Sequence, residues 1–291
     1  MLEQIEAMAR GNGVGGAGDE DAALQLLSTE EVAAREPAVR CVGALLSPAT
    51  GIVDSHGVML ALCADAEAHG ATVAYGASVA AVEALPSGRL LLRTTSCDDG
   101  GATALECDEV VNAAGHAAPV LARALRTPPT APPPSYAVPR PRYAKGSYFG
   151  LEGPSPFRGL VYPVPQQAGL GVHATVDLGG RCRFGPDVEW VERPDDFDVD
   201  PSRAASFYAE VRKYWPQLPD GALVPDYAGV RPKLQAPGEP AKDFAVVGPR
   251  EHGVRGLVHL LGIESPGLTA SLALAQVAVD ALGGSLDGGP G

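Results

Sequence analysis

The residues best suited to chemistry sit at separate points along the chain. His173 stands between Val172 and Ala174, and strand alternation turns it away from both neighbours, toward a cavity. An imidazole titrates near neutral pH and can accept a proton from a reacting group. A hydrogen-bonded core or surface histidine is the competing reading. Arg231 lies between Gly229 and Pro232. Its planar guanidinium can grip a carboxylate with two parallel N–H donors, and an ordinary surface ion pair is the alternative. Further on, Gly256-Leu-Val-His-Leu-Leu-Gly-Ile-Glu-Ser-Pro-Gly-Leu-Thr-Ala-Ser271 predicts a buried strand ending at Gly262 and then a helix. Ser265 would be its N-cap and Pro266 its first position, where a missing N–H costs nothing. Such a helix end offers free N–H groups and a positive dipole to an anionic group. A plain capped helix fits the same residues.

Elements must hold these points in place. Residues 2–10 read as a helix and are followed by a glycine-rich stretch, Gly11 to Gly18. Ser28 or Thr29 caps another helix. A helix from Ser55 to His69 is predicted to bury Met59, Leu62 and Ala66, with Gly70 ending it. Strands are predicted at Thr72–Tyr75, Ser78–Leu85, Arg89–Thr95 and Ala104–Cys107. Glu109–Asn112 then runs into Ala113-Ala114-Gly115 and a helix, Pro119–Leu125. A proline-rich connector covers Thr127 to Arg142. Residues 143–185 are β, with Leu170–Asp177 and Arg181–Gly185 flanking a Gly179-Gly180 hairpin turn. Ser202–Leu218 reads as an amphipathic helix, and Phe244–Val247 and Gly256–Leu261 as strands. The last helix is apolar nearly all round, with Leu268, Leu272, Ala275, Val279 and Leu282, and is expected to be buried. The tail beyond 284 reads as disordered.

This order suggests a mixed α/β and α+β protein. A βα layer is split over distant segments, and a mainly antiparallel β domain is inserted between them. The expected division is a helical arm (1–50), a first βα-side segment (51–126), the inserted domain (127–242) and a closing βα segment (243–284).

Gly11-Asn-Gly-Val-Gly-Gly16 and Gly13-Val-Gly-Gly-Ala-Gly18 both match the dinucleotide fingerprint G-x-G-x-x-G. The fingerprint needs a buried strand before it and a helix at its third glycine. Here a helix is predicted before it, and Asp19-Glu20-Asp21 follow where a phosphate would sit. A surface loop is the better reading.

Composition narrows the function further. A formal net charge of −13 argues against a nucleic-acid partner, which needs a basic face. No apolar run reaches the roughly 18 residues of a membrane span, so a soluble protein is expected. The five cysteines form no C-x-x-C pair, which suggests a reducing compartment and no zinc site.

Motifs found in order resemble one family. Thr50-Gly-Ile-Val-Asp54, Val110-Val-Asn-Ala-Ala-Gly115, Leu160-Val-Tyr-Pro-Val-Pro165 with Gly169-Leu-Gly-Val-His173, Phe184-Gly-Pro-Asp187, Ala228-Gly-Val-Arg-Pro232 and Gly262-Ile-Glu-Ser-Pro-Gly-Leu-Thr-Ala-Ser271 are similar to segments of the L-2-hydroxyglutarate dehydrogenase group. That group lies within the D-amino-acid-oxidase-like FAD oxidoreductases. The match covers roughly residues 30–283. Members of the family open with a strand, a true glycine turn and a helix that grip the FAD pyrophosphate, and nothing in this sequence corresponds. The chain is therefore expected to start downstream of that unit, which puts FAD binding by the chain alone in question.

The resemblance implies FAD as cofactor and a small 2-hydroxy acid as substrate. The electron acceptor stays open. His173 would be the base and Arg231 the carboxylate anchor. Tyr162, Lys145 and Lys233 would line the substrate pocket. Asn112, Ala113, Ala114, Gly115, Gly229, Gly262, Ile263, Glu264, Ser265, Pro266, Gly267 and Leu268 would meet the flavin, Glu264 through its backbone with its side chain in solvent. The other histidines, His56, His116, His252 and His259, are scattered and expected to be structural, and no metal is expected. The implied compartment is mitochondrial in a eukaryote and cytoplasmic in a bacterium. An amine-oxidising relative, or a remnant without cofactor, would share many of these features.

Overall fold

The computed structural model describes residues 1–128, 136–164 and 171–283. The middle of the proline-rich connector, the Gly169-Leu170 part of the histidine motif and the tail from 284 lie outside the described residues. Helix α1 (Leu2–Gly11) carries Glu3 in its first turn and Arg10 in its last, the order a helix dipole favours. Gly13, Gly15 and Gly18 then turn the chain into a short 3-10 helix, Glu20–Ala22. The dinucleotide-like spacing is thus a run of turns between two helical pieces.

Strands β1 (Gln25–Leu27) and β2 (Ala44–Leu46) pair antiparallel. Between them, α2 (Thr29–Arg35) opens on a capping box: Ser28 Oγ accepts from Glu31 N–H, and the Glu31 carboxylate accepts from Ser28 N–H at 2.8 Å. Helix α3 (Ser55–Ala68) is capped by Asp54 through Gly57 N–H at 3.0 Å. The expected buried face is not there: Met59 and Leu62 are exposed, and no residue of α3 is buried. Its apolar residues are spread around the axis, so no single stripe can sink into one core.

Strands β3 (Ala77–Ala84), β4 (Leu90–Ser96) and β5 (Ala102–Cys107) form an antiparallel meander. A separate strand at 72–75 does not form; Gly76 turns there and accepts from Cys97 N–H at 2.7 Å. After β6 (Val110–Asn112) a 3-10 turn leads to α4 (Ala118–Arg123). Then come β7 (Arg142–Leu151), β8 (His173–Val176), β9 (Cys182–Gly185) and β10 (Glu189–Val191). Helix α5 (Ala204–Val211) is shorter than predicted, because turns carry the chain on to Leu218. Next are β11 (Leu223–Lys233), β12 (Ala245–Val247), α6 (Pro249–His252), β13 (Leu257–Leu261) and α7 (Ser271–Leu282).

The chain forms two compact units. One holds 1–70, 145–189 and 197–229; the other holds 71–144, 190–196 and 230–291. In the first, β8 and β9 pair antiparallel, β9 continues onto β7, and β11 also pairs with β7. The sheet is sealed by Phe149, Phe184, Phe207, Val211 and Trp215, all buried, and each such side chain contributes about 1.5–3 kcal/mol by leaving water. In the second unit β12, β13 and β6 form a small sheet, with β6 and β13 parallel although they are far apart in sequence. This is the split βα layer the sequence suggested. Ala118, Ala122, Val247 and Leu261 pack on it.

Helix α7 departs from expectation. It packs on β12 and β13, yet Leu272, Val277 and Val279 are exposed and Ala278 is its buried residue. The side toward the sheet carries Ser271, Leu274, Ala278, Ala281 and Leu282, buried or half-buried, while Leu272, Val277 and Val279 face away.

Candidate functional site

In the second unit the site begins at the parallel pair. Register places His259 opposite Asn112, and both are buried. The Asn112 amide donates to Ala118 O at 2.9 Å and meets His259 Nδ1 at 3.0 Å, while its oxygen accepts from Ala114 N–H at 3.3 Å. Burial, and then the neighbouring His252, push His259 down to about 4, so its ring stays neutral and Nδ1 can accept. The Asn112 side chain thus shapes the turn from inside. Ala113, Ala114 and Gly115 are exposed just beyond it. Gly115 has φ +56 with open space where a Cβ would stand, so a flat ligand could lie against the backbone there. His116 Nε2 donates to Val230 O at 2.7 Å, and its ring sits edge-on to Tyr143. It ties this turn to the strand that carries Arg231.

β13 leads to Gly262, with φ +68; a Cβ there would fall 2.5 Å from Leu234 Cγ. Glycine is therefore required, and it swings the chain into Ile263–Thr269. These residues line a shallow cavity of about 390 Å³. The predicted helix start is corrected: α7 begins at Ser271 with Ala270 at its cap, so Ser265 is not the N-cap and Pro266 is not the first helical residue. Gly267 N–H closes a turn on the Glu264 carbonyl, and Ala270 N–H reaches Pro266 O at 3.0 Å. The Pro266-Gly267 pair acts here as turn residues.

Arg231 and Lys233 are two positions apart on β11 and meet one carboxylate. Lys233 Nζ donates to Glu264 Oε1, and Arg231 Nε lies 3.9 Å from Glu264 Oε2. The expectation of a solvated Glu264 side chain is overturned: only 15% of it is exposed. The turn after Gly262 brings it back onto β11.

In the first unit, His173 opens β8 and is buried. The half-exposed Tyr162 stacks on it with ring centroids 4.1 Å apart and planes 13° apart. Burial raises the Tyr162 phenol above its ordinary range, which keeps it protonated and able to donate. Tyr148 and Tyr227 stack at 4.5 Å, with Arg183 over the Tyr227 ring; sequence reasoning missed both tyrosines. Lys145 is a correction. It is buried on β7, donates to Asp198 O at 3.1 Å and lies 3.6 Å from Glu189, so it braces the fold and is withdrawn as a substrate ligand. Gly229 sits on β11 with open space where a Cβ would stand.

The donor set suits the ring end of a dinucleotide flavin: an open small-residue turn, a cavity walled by Ile263–Thr269, and cations beside it. The Gly11–Gly18 turns do not suit a pyrophosphate, since α1 rather than a strand precedes them and Asp19, Glu20 and Asp21 follow. A model of the FAD dependent oxidoreductases, DAO, matches residues 2–281. The chain belongs to the FAD dependent oxidoreductase family. Within it, the chain is 42% identical over 288 residues to a mitochondrial L-2-hydroxyglutarate dehydrogenase of Arabidopsis thaliana, covering 87% of this chain and 59% of that protein. An L-2-hydroxyglutarate dehydrogenase of Salmonella houtenae is 26% identical, over 85% of this chain and 63% of the other. The chain thus spans about three fifths of the length of these relatives. Among solved structures, an FAD-bound L-alpha-glycerophosphate oxidase from Mycoplasma pneumoniae superposes with a TM-score of 0.77 at 23% identity, over 99% of this chain and 71% of that one. That likeness shows the family fold.

Proposed function

We propose that this chain serves the oxidation of an L-2-hydroxy acid, L-2-hydroxyglutarate in the first instance, to the 2-oxo acid. The observation that carries the reading is the 42% identity, across 87% of the chain, to an enzyme named for that substrate. Arg231, with Glu264 at 3.9 Å rather than in a close hydrogen bond, keeps guanidinium edge for the substrate's C1 carboxylate. His173 takes the hydroxyl proton on a ring nitrogen as the C2–H bond breaks. Tyr162, stacked on it, fixes the plane of the imidazole. FAD, when bound, would supply a two-electron hydride acceptor. The Ala113–Gly115 turn and the Ile263–Leu268 wall hold its ring by backbone approach, and Asn112 and His259 keep the first of these in shape. Lys233 is held by Glu264, so the Arg231–Lys233–Glu264 cluster takes the C1 carboxylate alone, and the distal carboxylate is not assigned to it. Among the described residues no helix is long and apolar enough to cross a membrane. The compartment we assign is the mitochondrion in a eukaryote, after the plant relative's name, and the cytoplasm in a bacterium.

The test is a substrate panel on the flavin-loaded protein with an artificial dye acceptor: L- and D-2-hydroxyglutarate, glycine and glycerol 3-phosphate. The expected result is turnover of L-2-hydroxyglutarate with 2-oxoglutarate as product. Turnover of glycine or glycerol 3-phosphate in its place would overturn the assignment.

A further inference from the structure

The Arg231, Lys233 and Glu264 cluster sets a charge as well as a shape. Two cations share one carboxylate, and none of the three side chains is more than 27% exposed, so bulk water and salt screen them only in part. The arrangement follows from the fold: alternation puts positions 231 and 233 on one side of β11, and the turn at Gly262 returns Glu264 to them. The cluster therefore carries one net positive charge. Lys233 is the cation bound closely by Glu264, whereas Arg231 stands off at 3.9 Å.

We propose that Glu264 is a specificity-determining residue that restricts the Arg231–Lys233 pair to a single carboxylate and disfavours a dianionic phosphate. The proposal rests on the reading above in taking Arg231 as the anion anchor. One carboxylate neutralises the cluster. For a phosphate dianion both the attraction of the two cations and the repulsion of Glu264 double, because Coulomb energy scales with the product of the charges, so Glu264 takes twice as much from the dianion's binding as from a monoanion's. Removing the charge of Glu264 should therefore help a dianion more than a monoanion.

The experiment measures dissociation constants of acetate and of inorganic phosphate by calorimetry, at pH 8 and low ionic strength, for the parent, Glu264→Gln and Lys233→Gln. Binding is read without turnover. The same preparations are assayed with L-2-hydroxyglutarate. For Glu264→Gln the preference for phosphate over acetate should rise on the order of tenfold. For Lys233→Gln, whose cluster is neutral, both anions should weaken, phosphate the more. If Glu264→Gln does not fold, the double variant Lys233→Gln/Glu264→Gln, which removes both partners of the ion pair, is compared with Lys233→Gln and should show the same rise. An unchanged phosphate-to-acetate ratio on removing the charge of Glu264, in either background, overturns the proposal, even if the parent oxidises L-2-hydroxyglutarate. A shifted ratio in a parent that does not oxidise that substrate upholds the charge filter and refutes the substrate reading.

Discussion

At the scale of residues, the roles of His173 and Arg231 make separable predictions. His173→Gln keeps a polar side chain of similar size beside Tyr162 but removes the proposed base. Turnover of L-2-hydroxyglutarate should fall by about 10²–10⁴, with a much smaller change in KM, and steady-state kinetics across pH would show it. Unchanged turnover would remove His173 from the reaction. Arg231→Lys keeps the charge and loses the planar fork, so KM should rise and turnover fall together. Kinetics like the parent's would place the carboxylate elsewhere. His259 supports a pH prediction. Above about 6.5 its ring is neutral in both folded and unfolded chains. Between 6.5 and about 4 the unfolded chain takes up a proton that the folded one refuses, so stability falls as pH falls, and the loss stops growing below that window. Urea unfolding at pH 7.5 and 5 should show the parent losing about 2 kcal/mol more than His259→Gln; equal losses would contradict the buried neutral ring. Among these residues, Arg231 and His173 stood out in the sequence as candidates because their types suit a chemistry. Glu264 and His259 were not, since what matters about them is a partner: Lys233 across a glycine turn, and Asn112 across a parallel strand pair. No local pattern encodes either.

At the scale of elements, the sequence showed the strand-and-turn units well and the helix burial poorly. The Ser28 capping box, the β4–β5 hairpin and the β6 strand-to-turn passage rest on short-range chemistry that a window of residues contains. The burial of α3 and α7 depends on what covers them, which periodicity does not state. The expected start of α7 at Ser265-Pro266 failed because the same dipeptides serve turns as well as helix starts. The exposure of α7 is itself testable. Leu272→Lys should change stability by less than about 0.5 kcal/mol, since Leu272 is 71% exposed. Leu261→Ala, at a fully buried position of β13, should cost about 2–5 kcal/mol. A loss of several kcal/mol in Leu272→Lys, measured by chemical denaturation, would mean that this face is buried in solution.

At the scale of the whole molecule, the candidate residues lie in two compact units. One carries the His173–Tyr162 stack on an antiparallel sheet; the other carries the small-residue turn, the cavity at Ile263–Thr269 and the Arg231–Lys233–Glu264 cluster. The order of strands and turns suggested two intertwined domains divided near 50, 126 and 242, whereas the compact units divide the chain after 70, 144, 189, 196 and 229, because contacts between distant segments set those limits. With a net charge of −13, attraction for the proposed anionic substrate would have to come from local cations. The most direct test of the account is anaerobic: the flavin-loaded protein is mixed with L-2-hydroxyglutarate, and flavin absorbance and 2-oxoglutarate are followed together. The account predicts bleaching of the flavin with one 2-oxoglutarate formed per flavin reduced. A flavin that stays oxidised in L-2-hydroxyglutarate, yet bleaches with glycine or glycerol 3-phosphate, would contradict it.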